Sequence, residues 1–90
     1  MKVSKTLTIV NKLGLHARAA IKLVQLANSY QCEVTLQQGD QEAPADSVLA
    51  LLMLESSQGK QVTLTCEGKD AQEAFDEIAD LIANKFDEGE

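Results

Sequence analysis

The sequence holds one histidine, His16, within the run Gly14-Leu15-His16-Ala17-Arg18. It follows a break in a strand-like pattern and precedes a long run of helix-forming residues, which puts His16 at a helix N-cap. The first turn of a helix leaves backbone N–H groups without intrahelical acceptors, and the helix dipole is positive there. An anion held at that point meets the N–H groups of Ala17 and Arg18. The same positive end disfavours imidazolium, which leaves neutral, nucleophilic imidazole. The Arg18 guanidinium is suited to grip phosphate oxygens, and Lys12 and Lys22 add positive field. Such a site destabilises protonated His16 and stabilises a negatively charged adduct on it, as a reversible phosphohistidine requires. The same residues also fit a surface histidine that only fills a cap position.

Other reactive side chains do not converge. Cys32 is in phase with Val34 and Leu36, and Cys66 with Val62 and Leu64, so both read as buried thiols. One histidine with two such cysteines lacks metal-ligand spacing, and neither metal nor cofactor is expected. Ser47 or Ser56 would need a Gly-x-Ser-x-Gly elbow to serve a hydrolase, and the sequence has none. It also has no Gly-rich phosphate-donor loop and no evident general base for His16. The chain therefore reads as a phosphoryl-carrying cosubstrate, not a free-standing enzyme. Ser47 reads first as a helix cap, although phosphate on it would also meet helix N-terminal donors.

The elements that must position His16 follow from periodicity. Lys5–Val10 alternates, with Leu7 and Ile9 on one face, and predicts a strand broken by Asn11–Gly14. Ala17–Tyr30 is rich in helix formers, its apolar stripe made by Ala20, Leu23, Val24, Ala27 and Tyr30, and Asn28-Ser29 reads as the helix stop. Cys32–Gln37 alternates as a second strand, and the turn Gln38-Gly39-Asp40 leads to a short third strand at Gln41–Ala43 that Pro44 ends. Asp46 or Ser47 caps a short helix reaching Leu54. Val62–Glu67 is a fourth strand. Asp70, with Glu73, opens a last helix to Phe86 in the manner of a capping box. Ala71, Ala74, Phe75, Ile78, Leu81, Ile82 and Phe86 line one side of it, and Glu73, Asp76, Glu77 and Asp80 the other. The tail from Asp87 to Glu90 is expected to fray. The order βαββαβα implies a two-layer α+β fold, with helices on one face of the sheet and the Thr- and Gln-rich other face in water.

Composition narrows the function. Ninety residues make one domain, and area scaling gives roughly 5,100 Å² of folded surface. Residues 1–32 carry five basic side chains and no acid, while residues 33–90 carry three lysines and all fourteen acids, for a net charge of −6. The acidic total disfavours a general nucleic-acid binder, and the positive segment points to an anion near its middle, at His16. The longest apolar run, Val48–Leu54, is seven residues, too short to span a membrane. Without an apolar leader, a cytoplasmic monomer is the expectation. That run is apolar all round, so a short helix made from it buries Leu51 and Leu54 and leaves Val48, Leu49, Leu52 and Met53 for solvent or a partner. By helical phase Ala20, Lys22 and Leu26 extend such a patch.

Gly-Leu-His-Ala-Arg after a first strand resembles the active-site signature of HPr, the histidine-containing phosphocarrier of the bacterial phosphotransferase system. Asp46–Gln61 is similar to that family's second signature, a Ser-capped helix followed by a Gly-containing loop. Length and element order match as well. Asn11–Arg18 and Ser47–Leu54 look most like the nitrogen-related branch, the NPr proteins. The resemblance implies an open-faced β-sandwich, a four-stranded antiparallel sheet covered by three helices. It implies that His16 takes a phosphoryl group on Nδ1 from a nitrogen-type enzyme I, itself charged by phosphoenolpyruvate. His16 then passes the group to a nitrogen-type enzyme IIA, with Arg18 contacting the phosphate. The short helix and the first helix would form the surface that these partners use. Ser47 matches a position phosphorylated by a regulatory kinase in some family members. The family pattern places proline after the arginine; this chain has Ala19, which adds an N–H and removes a fixed φ while keeping a good helix former. That departure leaves a second reading, a regulatory protein-binding module with reduced or no phosphotransfer. A third is a small acidic structural domain.

Overall fold

The computed structural model describes residues 1–87, and the expectation of a frayed end at residues 88–90 lies outside the described residues. The elements are β1 (Lys2–Thr8), α1 (Ala17–Asn28), β2 (Cys32–Gln38), β3 (Gln41–Pro44), α2 (Val48–Leu52), β4 (Gln61–Gly68) and α3 (Ala71–Ala83), followed by a short 3-10 turn at Lys85–Asp87. The strands form one sheet in the order β1-β4-β2-β3, every neighbour antiparallel. This is the expected βαββαβα order and two-layer α+β architecture.

The pairing register explains the two faces. Val3 and Val34 flank Cys66, and Leu36 lies between Leu64 and Ala43, so alternate residues of the strands stack into apolar rows. These rows meet Leu23 and Ala27 of α1, Leu51 of α2, and Phe75, Ile78 and Ile82 of α3 in one buried core. The opposite rows carry hydroxyls. Ser4 Oγ and Thr65 Oγ1 lie 2.9 Å apart, and Thr6 Oγ1 and Thr63 Oγ1 3.2 Å apart, so that face is exposed and polar as expected. The accessible surface is 5146 Å², in line with the scaling for a chain of this mass.

Several boundaries differ from expectation, each for a local reason. β1 begins at Lys2, because Val3 shares the phase of Leu7 and pairs with Cys66; Lys5 interrupts that phase and hides the early start. Regular pairing stops at Thr8, yet Ile9 stays fully buried and exchanges bonds with the Gly59–Lys60 loop. Pro44 does not lie beyond β3 but is its last residue, paired with Thr35 on the sheet's edge strand, where no donor is required of it. α1, by contrast, ends at the expected Asn28-Ser29 stop, with Ser29 Oγ donating to Leu26 O. Asp70 makes no capping box. Its Oδ2 accepts the Gln31 N–H at 2.9 Å, tying the start of α3 to the start of β2.

α3 also ends earlier than the apolar pattern implies. Phe86 does reach the core, fully buried, but through a left-handed turn in which Lys85, Phe86 and Asp87 have φ of 58°, 54° and 63°. Lys22 of α1 holds that turn by donating from Nζ to Phe86 O at 2.7 Å. Burial of one aromatic ring and one charge-assisted bond offset a backbone conformation that L-residues resist.

The cysteines divide. Cys66 is fully buried, while Cys32 is only half-buried. Burial, then the neighbouring Cys32, pushes the Cys66 thiol up to about 11, whereas Cys32 is raised by burial and by Asp70. A thiol whose folded pKa lies above its unfolded value stabilises the fold below pH 9 and loses that contribution as pH rises to about 11. The urea midpoint is therefore expected to fall across that window, more steeply in the wild type than in Cys66→Ala. A second prediction concerns Gly14, whose φ is +67° and where an added Cβ would stand 2.5 Å from Ser56 O. Gly14→Ala should cost at least about 2 kcal/mol in urea unfolding, from left-handed strain and collision with backbone.

Candidate functional site

The loop between β1 and α1 is built backbone-first. Gly14 N–H donates to Asn11 O at 3.1 Å, and Asn11 Nδ2 donates to Gly14 O at 2.8 Å from a fully buried side chain. Leu15, nearly fully buried, donates its N–H to Ser56 O at 2.8 Å. His16 N–H then turns back to Gly14 O at 3.0 Å, and His16 O accepts the first helical bond, from Ala20 N–H at 2.8 Å. The chain thus enters α1 with His16 at the N-cap in an extended conformation, φ −88° and ψ −178°.

The ring is aimed as a cap side chain. His16 Nδ1 accepts the Arg18 N–H at 3.3 Å. A nitrogen that accepts carries a lone pair, so the proton of the neutral ring sits on Nε2. The nucleophilic nitrogen therefore faces the positive end of α1. α1 begins at Ala17, so the N–H groups of Ala17, Arg18 and Ala19 precede the first i→i−4 bond. An electrophile approaching Nδ1 comes up against these donors, with the exposed Arg18 side chain on the same turn. Ala19 is fully buried and the helix forms through it, as its helix propensity implies.

The remaining site residues sort by burial. Ser47 caps α2, its Oγ accepting the Ala50 N–H at 3.1 Å. In α2, Leu51 points into the core, while Leu49 is 71% and Met53 67% exposed; Val48 and Leu52 are half-buried and pack on the core's edge. Ala20 is a correction: it is fully buried beneath α1 and offers no surface to a partner. Its neighbour Ile21 is the exposed apolar residue there, and Leu13, 61% exposed, adds another in the loop before His16. Periodicity holds a signal for both, since Ile21 lies off the buried stripe of α1 and Leu13 sits in a polar turn that no core row uses. α1 and α2 pack against each other, so Ile21 on α1 and Leu49 on α2 lie on adjoining helices, and Met53 directly follows α2 as its C-cap. Lys12 is exposed, whereas the Lys22 ammonium is committed to Phe86 O. Among the described residues no His, Cys, Asp and Glu group is arranged to hold a metal ion, and no helix is long and apolar enough to cross a membrane.

The chain matches the family model for the PTS HPr component phosphorylation site over residues 3–84. It is 53% identical to the phosphocarrier protein NPr of Shewanella violacea, covering 97% of this chain and 96% of that one. It is 47% identical to the phosphocarrier protein HPr of Cupriavidus necator, covering 92% and 93%. The crystal structure of HPr-C-His from Thermoanaerobacter tengcongensis superposes with a TM-score of 0.91 at 37% identity, over 96% of this chain and 97% of the other. A family signature spanning nearly the whole fold, together with relatives this similar end to end, makes the chain a member of the HPr family of phosphotransferase-system phosphocarriers.

Proposed function

We propose that the protein carries a phosphoryl group on His16 Nδ1, accepting it from enzyme I and passing it to an enzyme IIA. The observation that carries the reading is the orientation of the ring: Nδ1 accepts from Arg18 N–H at the start of α1. In the transfer, a P–N bond forms at the Nδ1 lone pair as the donor's bond to phosphorus breaks. Nδ1 has no proton to lose first, so no general base is required of this chain. The phosphoryl oxygens then replace Nδ1 as acceptor for the Arg18 N–H and also meet the Ala17 N–H, and the Arg18 guanidinium supplies further donors.

We assign the partners to the nitrogen-related branch, with nitrogen-type enzyme I and nitrogen-type enzyme IIA. Support comes from NPr-named relatives over almost the full chain and from the motifs Asn11–Arg18 and Ser47–Leu54. The docking face in this reading is made by Leu49 and Met53, edged by Val48 and Leu52 and widened by Leu13 and Ile21. The carrier acts as a cytoplasmic monomer. Ser47 serves as a helix cap, since its hydroxyl is already engaged with Ala50 N–H.

The exposed face also suits a regulatory module that docks without transferring phosphate. Incubation with a nitrogen-type enzyme I and phosphoenolpyruvate separates the two. The carrier reading expects one acid-labile, base-stable phosphoryl group by intact mass, lost in His16→Ala, and its onward passage to an enzyme IIA. An adduct that persists in His16→Ala overturns the site, and an adduct that never moves on favours the module. Arg18→Ala is expected to slow transfer about tenfold, the value of a partly solvated charge-assisted bond, with circular dichroism and melting unchanged. Leu49→Asp should raise KM for enzyme I and leave the melting temperature within a few degrees, because Leu49 contributes little to the core.

A further inference from the structure

Ser56 has no part in the chemistry above, yet it is one of two buried polar side chains among the described residues, 3% exposed. The chain delivers it inward through Glu55, a non-glycine residue in the left-handed region at φ 54°. Its hydroxyl donates to Gln38 Oε1 at 2.6 Å. The orientation of that carboxamide is set from the other side, since Gln38 Nε2 donates to Leu54 O at 3.0 Å. Gln38 is the last residue of β2, so the sheet itself anchors the pair. On its backbone side, Ser56 presents its carbonyl to Leu15 N–H, the residue before His16, at 2.8 Å. Gly14 packs so tightly there that no Cβ fits. A continuous set of hydrogen bonds therefore runs from the end of β2, through Gln38 and Ser56, to the peptide that leads into His16.

We infer that Ser56, oriented by Gln38, is a positioning residue for His16, fixing where the ring stands against the first turn of α1. The inference rests on the phosphocarrier reading and adds residues distant from the phosphate to it. The physical reason is geometric. Asn11 holds the Gly14 side of the entry to α1, and the Leu15–Ser56 bond sets where that entry sits against the neighbouring loop. A misplacement of an ångström or less between nucleophile and electrophile costs rate, not binding.

The test uses the full chain with enzyme I and phosphoenolpyruvate. Ser56→Ala and Gln38→Ala should each lower kcat for phosphoryl acceptance about three- to tenfold, with KM for enzyme I within about twofold. The double variant should be no slower than the worse single one, because the two residues act through one bond. The Leu15 amide and His16 ring resonances should shift in both variants at a temperature where the fold is intact by circular dichroism. Ser56→Thr, which keeps the hydroxyl, should restore most of kcat, and Ser57→Ala, next along the chain and exposed, should leave it unchanged. Wild-type kcat with unmoved His16 resonances in Ser56→Ala overturns the positioning role. A loss of melting temperature with kcat intact does the same, since it marks a purely structural residue. If the wild type itself is not phosphorylated, the phosphocarrier reading fails first, and the positioning role falls with it.

Discussion

The hydrogen bond from Leu15 N–H to Ser56 O, 2.8 Å long, ties the loop that carries His16 to the loop that enters β4. Beside the Ile9 bonds to Gly59 and Lys60, it is the contact that joins these two turns closest to His16. It forms because Gly14 takes a left-handed φ and has no Cβ to hold the two backbones apart. With the loop so placed, His16 enters α1 as an N-cap in an extended conformation. The ring then fills the place of a capping side chain and shows Nδ1 to the helix N–H groups. A residue chosen for chemistry thus occupies a position that helix formation would fill with a polar side chain in any case.

The sheet contributes rigidity on the other side of the molecule. β4 lies between β1 and β2 and pairs with both along most of its length, so the loops at its ends inherit its position. The polar face of threonines and serine stays in water and leaves the three helices to cover a single face. This asymmetry gathers the functional surface. The N-terminus of α1 and the exposed apolar residues of α2 lie on the helical side, while the acids of α3 are dispersed along its outer flank.

Apolar exposure and burial divide along α2 in a way that a five-residue helix makes unavoidable. A helix this short on a sheet buries one side only, and this one is apolar on every side. Leu51 and Leu54 account for the core, and Leu49 and Met53 remain in water at 71% and 67% exposure. Ser47 holds the helix start by capping, which keeps such a short segment helical despite the cost of nucleation. The exposed leucine and methionine form an apolar surface without specific polar geometry, of the adaptable kind that methionine favours.

Much of this protein was legible in its residues. Strand alternation at Cys32–Gln37 and Val62–Glu67, the helical stripe from Ala71 to Ile82, and His16 before a helix-forming run all rest on local periodicity, which depends on near neighbours along the chain. The charge split, the short apolar run and the family signature likewise need no third dimension. What local pattern did not reveal lies wherever a residue's partner is remote in sequence. Val3 joins β1 because Cys66 faces it, and Asp70 abandons its own helix cap for Gln31 N–H. Phe86 reaches the core by a left-handed turn that Lys22 secures, and Ala20 is buried where helical phase alone left it available to a partner. Ser56 Oγ and Gln38 Oε1 meet from eighteen positions apart. The sequence by itself determined the element order, the core faces and the place of the one histidine at a helix start, because these follow from spacing and residue type. Only the tertiary structure decided how the loop that enters α1 is seated, because that seat includes a backbone contact between Leu15 and Ser56, remote in sequence, that no local pattern encodes.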